Sequence, residues 1–496
     1  MAGRNESLAF FRIDDAPVLP APPSTVGARG WLVANLFSSP LNGILTVVLG
    51  FVMVWLAWSI FDWAVLSAVW RGENREACLG EGVGACWPLV ADKYLQWIYG
   101  FYPIEERWRP NLVFAMGAIG LAPMLVPSLP YKALNVFFLL VIFPLVTLVL
   151  LTGGHFGIGR SSFVWVAGLL LASAAFLPVV FGGLEVAARR NRYGVLAIVI
   201  GGLPLVLTEF FAGNPLSVLP GVGHGLVALV GVGAIQSLWA TWNEGGAGGL
   251  RVIAGWLVIG AAILGAMLFL NIDFGLVPVE TSQWGGLLVT LVVSVTGIVA
   301  SLPIGILLAL ARRSNMPVVR LFAVLFIELW RGVPLITVLF FSSVMLPLFL
   351  PEGTVFDKLL RALIGVALFS AAYMAEVVRS GLQAIPRGQY EGAMALGLSF
   401  WQSMRMIILP QALKISIPNI VGNFISLFKD TTLVAIIGLF DLLGMVRAGL
   451  KDANWATPTS VATGYLTLAA VYWVFCFSMS RYSMYTERRL GAGQKR

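Results

Sequence analysis

The chain is nearly without histidine and has little cysteine. Across 496 residues there are only His155 and His224, with Cys78, Cys86 and Cys476. No tetrahedral nitrogen and sulfur ligand set can be assembled from that supply at workable spacing, so a metal centre is excluded. The phosphate-cradling pattern G-x-x-x-x-G-K-[ST] occurs nowhere, so the chain has no ATP site of that kind. Two histidines and no cluster of nucleophile, acid and base also argue against an integral-membrane enzyme. Charge is scarce: 11% of residues are Asp, Glu, Lys or Arg, where a soluble domain carries about a quarter.

Apolar residues fill the space. The chain is 58% hydrophobic, with a mean hydropathy of +0.88. Apolar runs recur at about the 20-residue length that spans a bilayer. They fall near 43–70, 110–128, 133–152, 163–184, 193–213, 221–241, 252–270, 285–311, 322–350, 359–378, 412–430 and 460–480. The expected fold is therefore an all-α polytopic membrane protein with about 12 transmembrane helices. Residues 1–40 read as a polar tail with prolines at 17, 20, 22 and 23. The first apolar run starts too late and runs too long for a cleavable signal peptide. His224, in the glycine-rich sixth run, reads as a packed side chain.

The net charge of +8 does not point to nucleic acid. The basic residues sit in short loops between apolar runs, as the positive-inside rule expects. "EVAARRNR" (185–192), "RRSNMPVVR" (312–320) and the tail from Arg481 are basic, whereas 212–220 and 271–284 hold no Lys or Arg. Twelve spans put all the basic loops and both termini on one side, the cytoplasm. A thirteenth span at 431–446 would put the tail outside, so that stretch reads as a helix packed near the outer surface or a re-entrant piece. The outer loop 71–109 holds "CLGEGVGAC". In an oxidising periplasm Cys78 and Cys86 could pair, the glycines at 80, 82 and 84 letting so short a loop close; two free thiols are the other reading. Cys476 reads as packing.

One cytoplasmic stretch is too polar for its surroundings: "QYEGAMALGLSFWQSMRMIILP", 389–410. Pro386 suits the start of a helix. Gly397 sits where that helix would end on a left-handed residue. Ser399 and Gln402 form the S-x-x-Q signature that caps a second helix, expected to run to Pro410. A helix, a glycine turn and a second helix at the membrane face suit either an interfacial element or a docking knob for another protein.

Glu391, Ala393, Gly397, Ile407, Leu409 and Pro410 stand in the spacing of the EAA loop of ABC-importer permeases, E-A-A, three residues, Gly, nine residues, I-x-L-P, which the segment resembles. Gly392 departs from the family's alanine, at a cost of about 1 kcal/mol to a helix. "ELWRGVPLITVLF" (328–340) and "YMAEVVRSGLQAIPRGQYEGA" (373–393) look like the permeases of polar amino-acid uptake systems. Residues 84–110 resemble the long permease of general L-amino-acid importers. The resemblance implies a permease core at 283–490 formed by the last five spans. It implies a coupling segment at 386–410 that includes Glu391, Gly392, Ala393, Gly397, Ile407, Leu409 and Pro410, and an amino-terminal extension at 41–280 expected to buttress the core or a second permease. The implied function is import of L-amino acids across a bacterial inner membrane. The implied partners are an ATP-binding subunit, a second permease or second copy, and a periplasmic amino-acid-binding protein that sets the substrate range. No cofactor is expected on this chain, ATP and Mg being used by the partner ATPase.

Ser416, Asn419, Asn423 and Ser426 share one face of the eleventh span. They suit either interhelical hydrogen bonding or a substrate path. Glu328 and Arg331, three apart at a cytoplasmic span entrance, suit a structural bridge rather than a gating role. The alternative, an ion-coupled secondary transporter, would carry charged groups inside its spans and matching halves. The spans are nearly bare of charge, with Asp62 and Glu209 near span ends, and residues 41–270 show no clear match to 283–480.

Overall fold

The computed structural model describes residues 27–126, 128–154, 156, 158, 160–174, 177, 191–212, 220–349 and 357–491. Among them every regular element is helical, with only isolated backbone bridges besides. The chain forms two compact units, residues 1–89 with 456–463, and residues 90–455 with 464–496.

In the first unit, α1 (Gly27–Asn35) lies within the expected tail. α2 (Pro40–Phe61) starts where Ser39 accepts the Asn42 N–H and Pro40 supplies a residue with no N–H to waste. It winds on through a π turn to Leu66, and none of its residues is buried. Cys78 and Cys86 are joined by a disulfide with a Cα–Cα distance of 5.7 Å. The closed loop is tied to residues 456–463: the Cys86 N–H donates to Thr463 Oγ1 at 2.8 Å, and Thr459 Oγ1 donates to the Cys78 carbonyl at 3.3 Å.

The stretch read as an outer loop contains α3 (Trp87–Tyr99), a 13-residue helix. α4 (Trp108–Leu125), α5 (Lys132–Phe137), α6 (Phe143–Thr152), α7 (Arg160–Ser173), α8 (Arg192–Ala212) and α9 (Pro220–Leu270) follow. Arg109, 1% exposed, donates to the Val277 carbonyl at 2.7 Å and pairs with Glu106 at 2.7 Å. It thereby fastens the start of α4 to the link 271–284. α9 keeps helical hydrogen bonding over 51 residues, yet a Cβ on Gly249 would collide with the Thr241 carbonyl oxygen. Eight residues of straight helix span about 12 Å, so α9 bends sharply there and serves as two spans.

The remaining helices are α10 (Gly286–Arg312), α11 (Pro317–Gly332), α12 (Leu335–Phe340), α13 (Lys358–Gln383), α14 (Arg387–Ala395), α15 (Phe400–Ser403), α16 (Leu409–Asp430), α17 (Leu442–Gly449) and α18 (Pro458–Gly491). Small residues let them approach closely, as in membrane bundles generally. Gly305 of α10 lies against Met374 and Ala375 of α13, and Gly381 of α13 against Ala412 and Ser416 of α16.

Among the described residues eight helical stretches are long and apolar enough to cross a bilayer, nine with one broken span. The expected count of twelve is not reached. α4 opens on Trp-Arg-Pro-Asn and is not among the eight. The runs 163–184 and 193–213 lie partly outside the described residues. The run 322–350 is not one straight span: α11 and the helical stretch from Leu335 meet at 104°, where Pro334 follows Gly332 and Val333 and cannot continue the helix. Residues 431–446 make no further span. A 3-10 stretch, Thr431–Ile437, ends on left-handed Gly438, and α17 starts afresh with Asp441 capping Leu443 and Gly444.

Candidate coupling segment

α14 is nine residues, about 14 Å. Pro386 is its cap rather than its first residue, and Arg387 opens the helix. The helix ends as the sequence indicates. Gly397 has φ +70°, its N–H bonds the Met394 carbonyl at 2.9 Å, and the Leu398 N–H bonds the Ala393 carbonyl at 3.2 Å. Those two bonds are the Schellman closure. The Ser399 N–H then donates to Gln402 Oε1 at 2.8 Å and the Gln402 N–H to Ser399 Oγ, completing a capping box.

The second helix does not stop at Pro410. α15 passes into a π turn, Met404–Ile408, and α16 continues from it. A proline inside a regular helix lacks one N–H and collides with the preceding turn. The widened π turn just ahead of Pro410 is the local adjustment that accommodates it.

The segment presents apolar side chains to the outside. Leu396 is 74% exposed, Met406 67% and Trp401 62%, while Ala393 is 1% exposed. Glu391, Gly392, Gly397 and Pro410 are also exposed. Ile407 and Leu409 pack from the side on the core of Ala309, Met374, Val378, Leu382 and Ile408. Gln411 Nε2 bridges Gln389 Oε1 at 3.0 Å and the Ile407 carbonyl at 2.9 Å, binding α14 to the start of α16. A hollow of about 310 Å³ opens between Leu310 and Trp401, Met404 and Arg405.

Above this segment lies an ion cluster that sequence reading passed over. Glu376 of α13 accepts from Arg312 at 2.7 Å and Arg379 at 2.7 Å, with Arg331 at 3.6 Å. Glu328 pairs with Arg312 at 3.0 Å. Glu328 and Arg331 therefore do not pair with each other. Each reaches another helix instead, and Arg331 also lies over the Tyr373 ring. The available signal was Glu376 itself, a carboxylate inside an apolar run with Arg379 three residues on. Arg361, in the same run, donates to the Ser343 carbonyl.

The four polar residues of α16 do not act alike. Ser416 is buried and donates to the Val377 carbonyl of α13 at 3.3 Å. Asn419 and Ser426 are exposed and Asn423 is half-buried, so only Ser416 sits beneath α13.

A permease of Escherichia coli (strain K12), the inner membrane amino-acid ABC transporter permease protein YhdY, is 38% identical over 482 residues, covering 96% of this chain and 97% of its own. The glutamate/glutamine/aspartate/asparagine transport system permease protein BztC of Rhodobacter capsulatus is 40% identical over 491 residues, covering 97% and 98%. The chain belongs to the amino-acid ABC transporter permeases. Residues 301–492 of the permease match the family described as binding-protein-dependent transport system inner membrane component. A shorter relative, the glutamate/aspartate import permease protein GltK of Escherichia coli O157:H7, is 35% identical and covers 41% of this permease but 91% of itself. A solved structure of an amino acid ABC transporter is 30% identical, covering 41% of this chain and 92% of that one, with a TM-score of 0.37. The permease is thus a multi-pass inner-membrane transport component, and its family implies that ATP is used by a partner subunit.

Proposed function

We propose that this permease carries polar amino acids, of the kind named for its full-length relatives, from a periplasmic binding protein into the cytoplasm. Residues 386–410 are the contact for an ATP-hydrolysing subunit. The observation that carries the reading is the exposed apolar surface of Leu396, Trp401 and Met406 on a segment closed by a Schellman turn and a capping box. Exposed apolar area rimmed by polar residues marks a protein or a membrane contact, and the exposed Glu391, Gln402 and Arg405 around it favour a protein partner. The coupling residues are Glu391, Gly392, Ala393, Gly397, Ile407, Leu409 and Pro410, of which Glu391, Gly392, Gly397 and Pro410 are exposed. Asn419, Asn423 and Ser426 remain the candidates for a substrate path. Residues 283–490 act as the permease core, paired with a second permease or a second copy, and 41–280 as the extension.

Both termini lie in the cytoplasm in this reading. The basic loops support that assignment, and the disulfide supports it independently. A Cys78–Cys86 bond belongs to an oxidising compartment. The loop it closes is tied to Thr459 and Thr463, in the first turns of α18. α18 has 34 residues, about 51 Å, long enough to carry the chain to the opposite face.

The test is co-purification from native membranes with a Gly397→Val variant alongside. A branched residue at φ +70° strains the turn by about 1–2 kcal/mol. An ATPase subunit that accompanies the native chain and is lost with the variant supports the reading. A chain that emerges alone and still transports under an ion gradient overturns it in favour of a secondary transporter.

A further inference from the structure

Two adjacent arginines end α10, and they point to different places. Arg313 meets the coupling helix. Its Nη1 donates to the Tyr390 hydroxyl at 2.9 Å, and its guanidinium lies 5.3 Å from the centre of the Tyr390 ring. The Tyr390 hydroxyl in turn donates to the Leu382 carbonyl at 3.0 Å, and Arg313 reaches the same oxygen at 3.5 Å. Leu382 lies in the last turn of α13, where carbonyls have no partner within the helix. Three chain segments, the ends of α10 and α13 and the second turn of α14, therefore converge on one oxygen. Arg312, one residue earlier, turns the other way into the ion cluster, holding Glu376 of α13 and Glu328 of α11.

We propose that Tyr390 and Arg313 are positioning residues that lock the coupling helix to the core, with Arg312 passing its displacement into the Glu376 cluster. This rests on the reading of 386–410 as the coupling segment. Pro386 and Gly397 leave α14 jointed at both ends. Without a strap, a push on α14 would be absorbed in those joints. The Tyr390 hydroxyl supplies the strap to α10 and α13 at the Pro386 end through two hydrogen bonds, while Gln389 beside it is tied to Gln411 of α16. Because Arg312 and Arg313 are neighbours on one helical end, a shift of one moves the other. The cluster then spreads that shift to α11, just ahead of its 104° break. Tyr390 lies inside the motif segment but matches none of its letters, so this role is separate from docking.

The experiment uses the complete transporter in liposomes, native against Tyr390→Phe, which keeps the ring and removes only the hydroxyl. Three quantities are read: ATPase subunit retained on purification, amino acid moved per ATP hydrolysed, and substrate concentration at half-maximal uptake. The expected result is native retention, unchanged half-maximal concentration, and transport per ATP lowered at least about fivefold, the fold-change of about 1 kcal/mol for the two hydrogen bonds lost with the hydroxyl. Arg313→Gln should do the same, and the double variant should be no worse than the poorer single, because both act through one junction. Native transport per ATP in Tyr390→Phe overturns the proposal, as do fully additive losses in the double variant. Loss of the ATPase subunit from Tyr390→Phe also overturns it, since the hydroxyl would then serve docking. Failure of the coupling-segment reading shows separately, as an ATPase subunit that stays bound to Gly397→Val.

Discussion

Gly392 costs α14 stability without any compensating contact. It is helical and exposed, and a Cβ built on it meets nothing within 4 Å. Gly392→Ala should stabilise α14 by about 1 kcal/mol, slowing amide hydrogen exchange across 387–395 about fivefold; unchanged exchange would mean that α14 is held by its ends and not by its own propensity. The local chemistry of this stretch was legible in sequence because caps and turns are decided within a few residues. Gly397 and Ser399–Gln402 form the closures their types indicate. Tyr390 was not legible in the same way, because Arg313 is 77 positions away and only the packing of α10 beside α13 brings the two together. Ser416 illustrates the same limit: periodicity placed it on a face with Asn419, and only the tertiary neighbour separates them.

Among elements, α3 is a short helix within the stretch read as an outer loop between spans. Its charges are spent on packing. Lys93 bridges Asp452 at 2.6 Å and Asp92 at 3.0 Å, and Asp92 accepts from Trp455 Nε1 at 2.8 Å. The hydrogen bond from Lys93 holds the Asp452 carboxyl below its usual 3.8. Burial works to lower the Lys93 amine, but its hydrogen bonds to Asp452 and Asp92 prevail and raise it above 10.5. A depressed acid stabilises the fold above its unfolded value and loses that contribution as pH falls through the folded one. A raised amine stabilises below 10.5 and loses its contribution above. The bridge therefore contributes fully between about pH 4 and 10, and about 1 kcal/mol at most for a half-buried pair still in contact with solvent. The melting temperature in detergent should fall more steeply from pH 5 to 3 for the native chain than for Lys93→Met; parallel curves would assign the acid sensitivity elsewhere. Span positions were the most legible feature, because hydropathy and length suffice for them. The break at Pro334 was missed because an apolar run reads the same straight or bent, whereas the bend of α9 falls between 221–241 and 252–270, which were read as two spans.

For the whole molecule, the placement of the termini can be tested through the disulfide. In a Cys476→Ser background with the disulfide intact, a membrane-impermeant maleimide applied to spheroplasts should label a cysteine introduced by Glu81→Cys, exposed in the loop that the disulfide closes. A cysteine introduced by Arg489→Cys should label only after permeabilisation; labelling of both from outside would reverse or break the assigned topology. A further consequence lies in the π turn that carries the helix past Pro410. Because winding never stops there, Phe400–Ile437 is one continuous 38-residue rod, more than 50 Å long at about 1.5 Å per residue, whereas α14 is a stub of about 14 Å between two swivels. The two halves of the segment therefore have unequal gearing. α14 ends in the turn at Gly397, whereas the helix from Phe400 runs without a break to Ile437, so a change of tilt at its Phe400 end would be carried along its whole length.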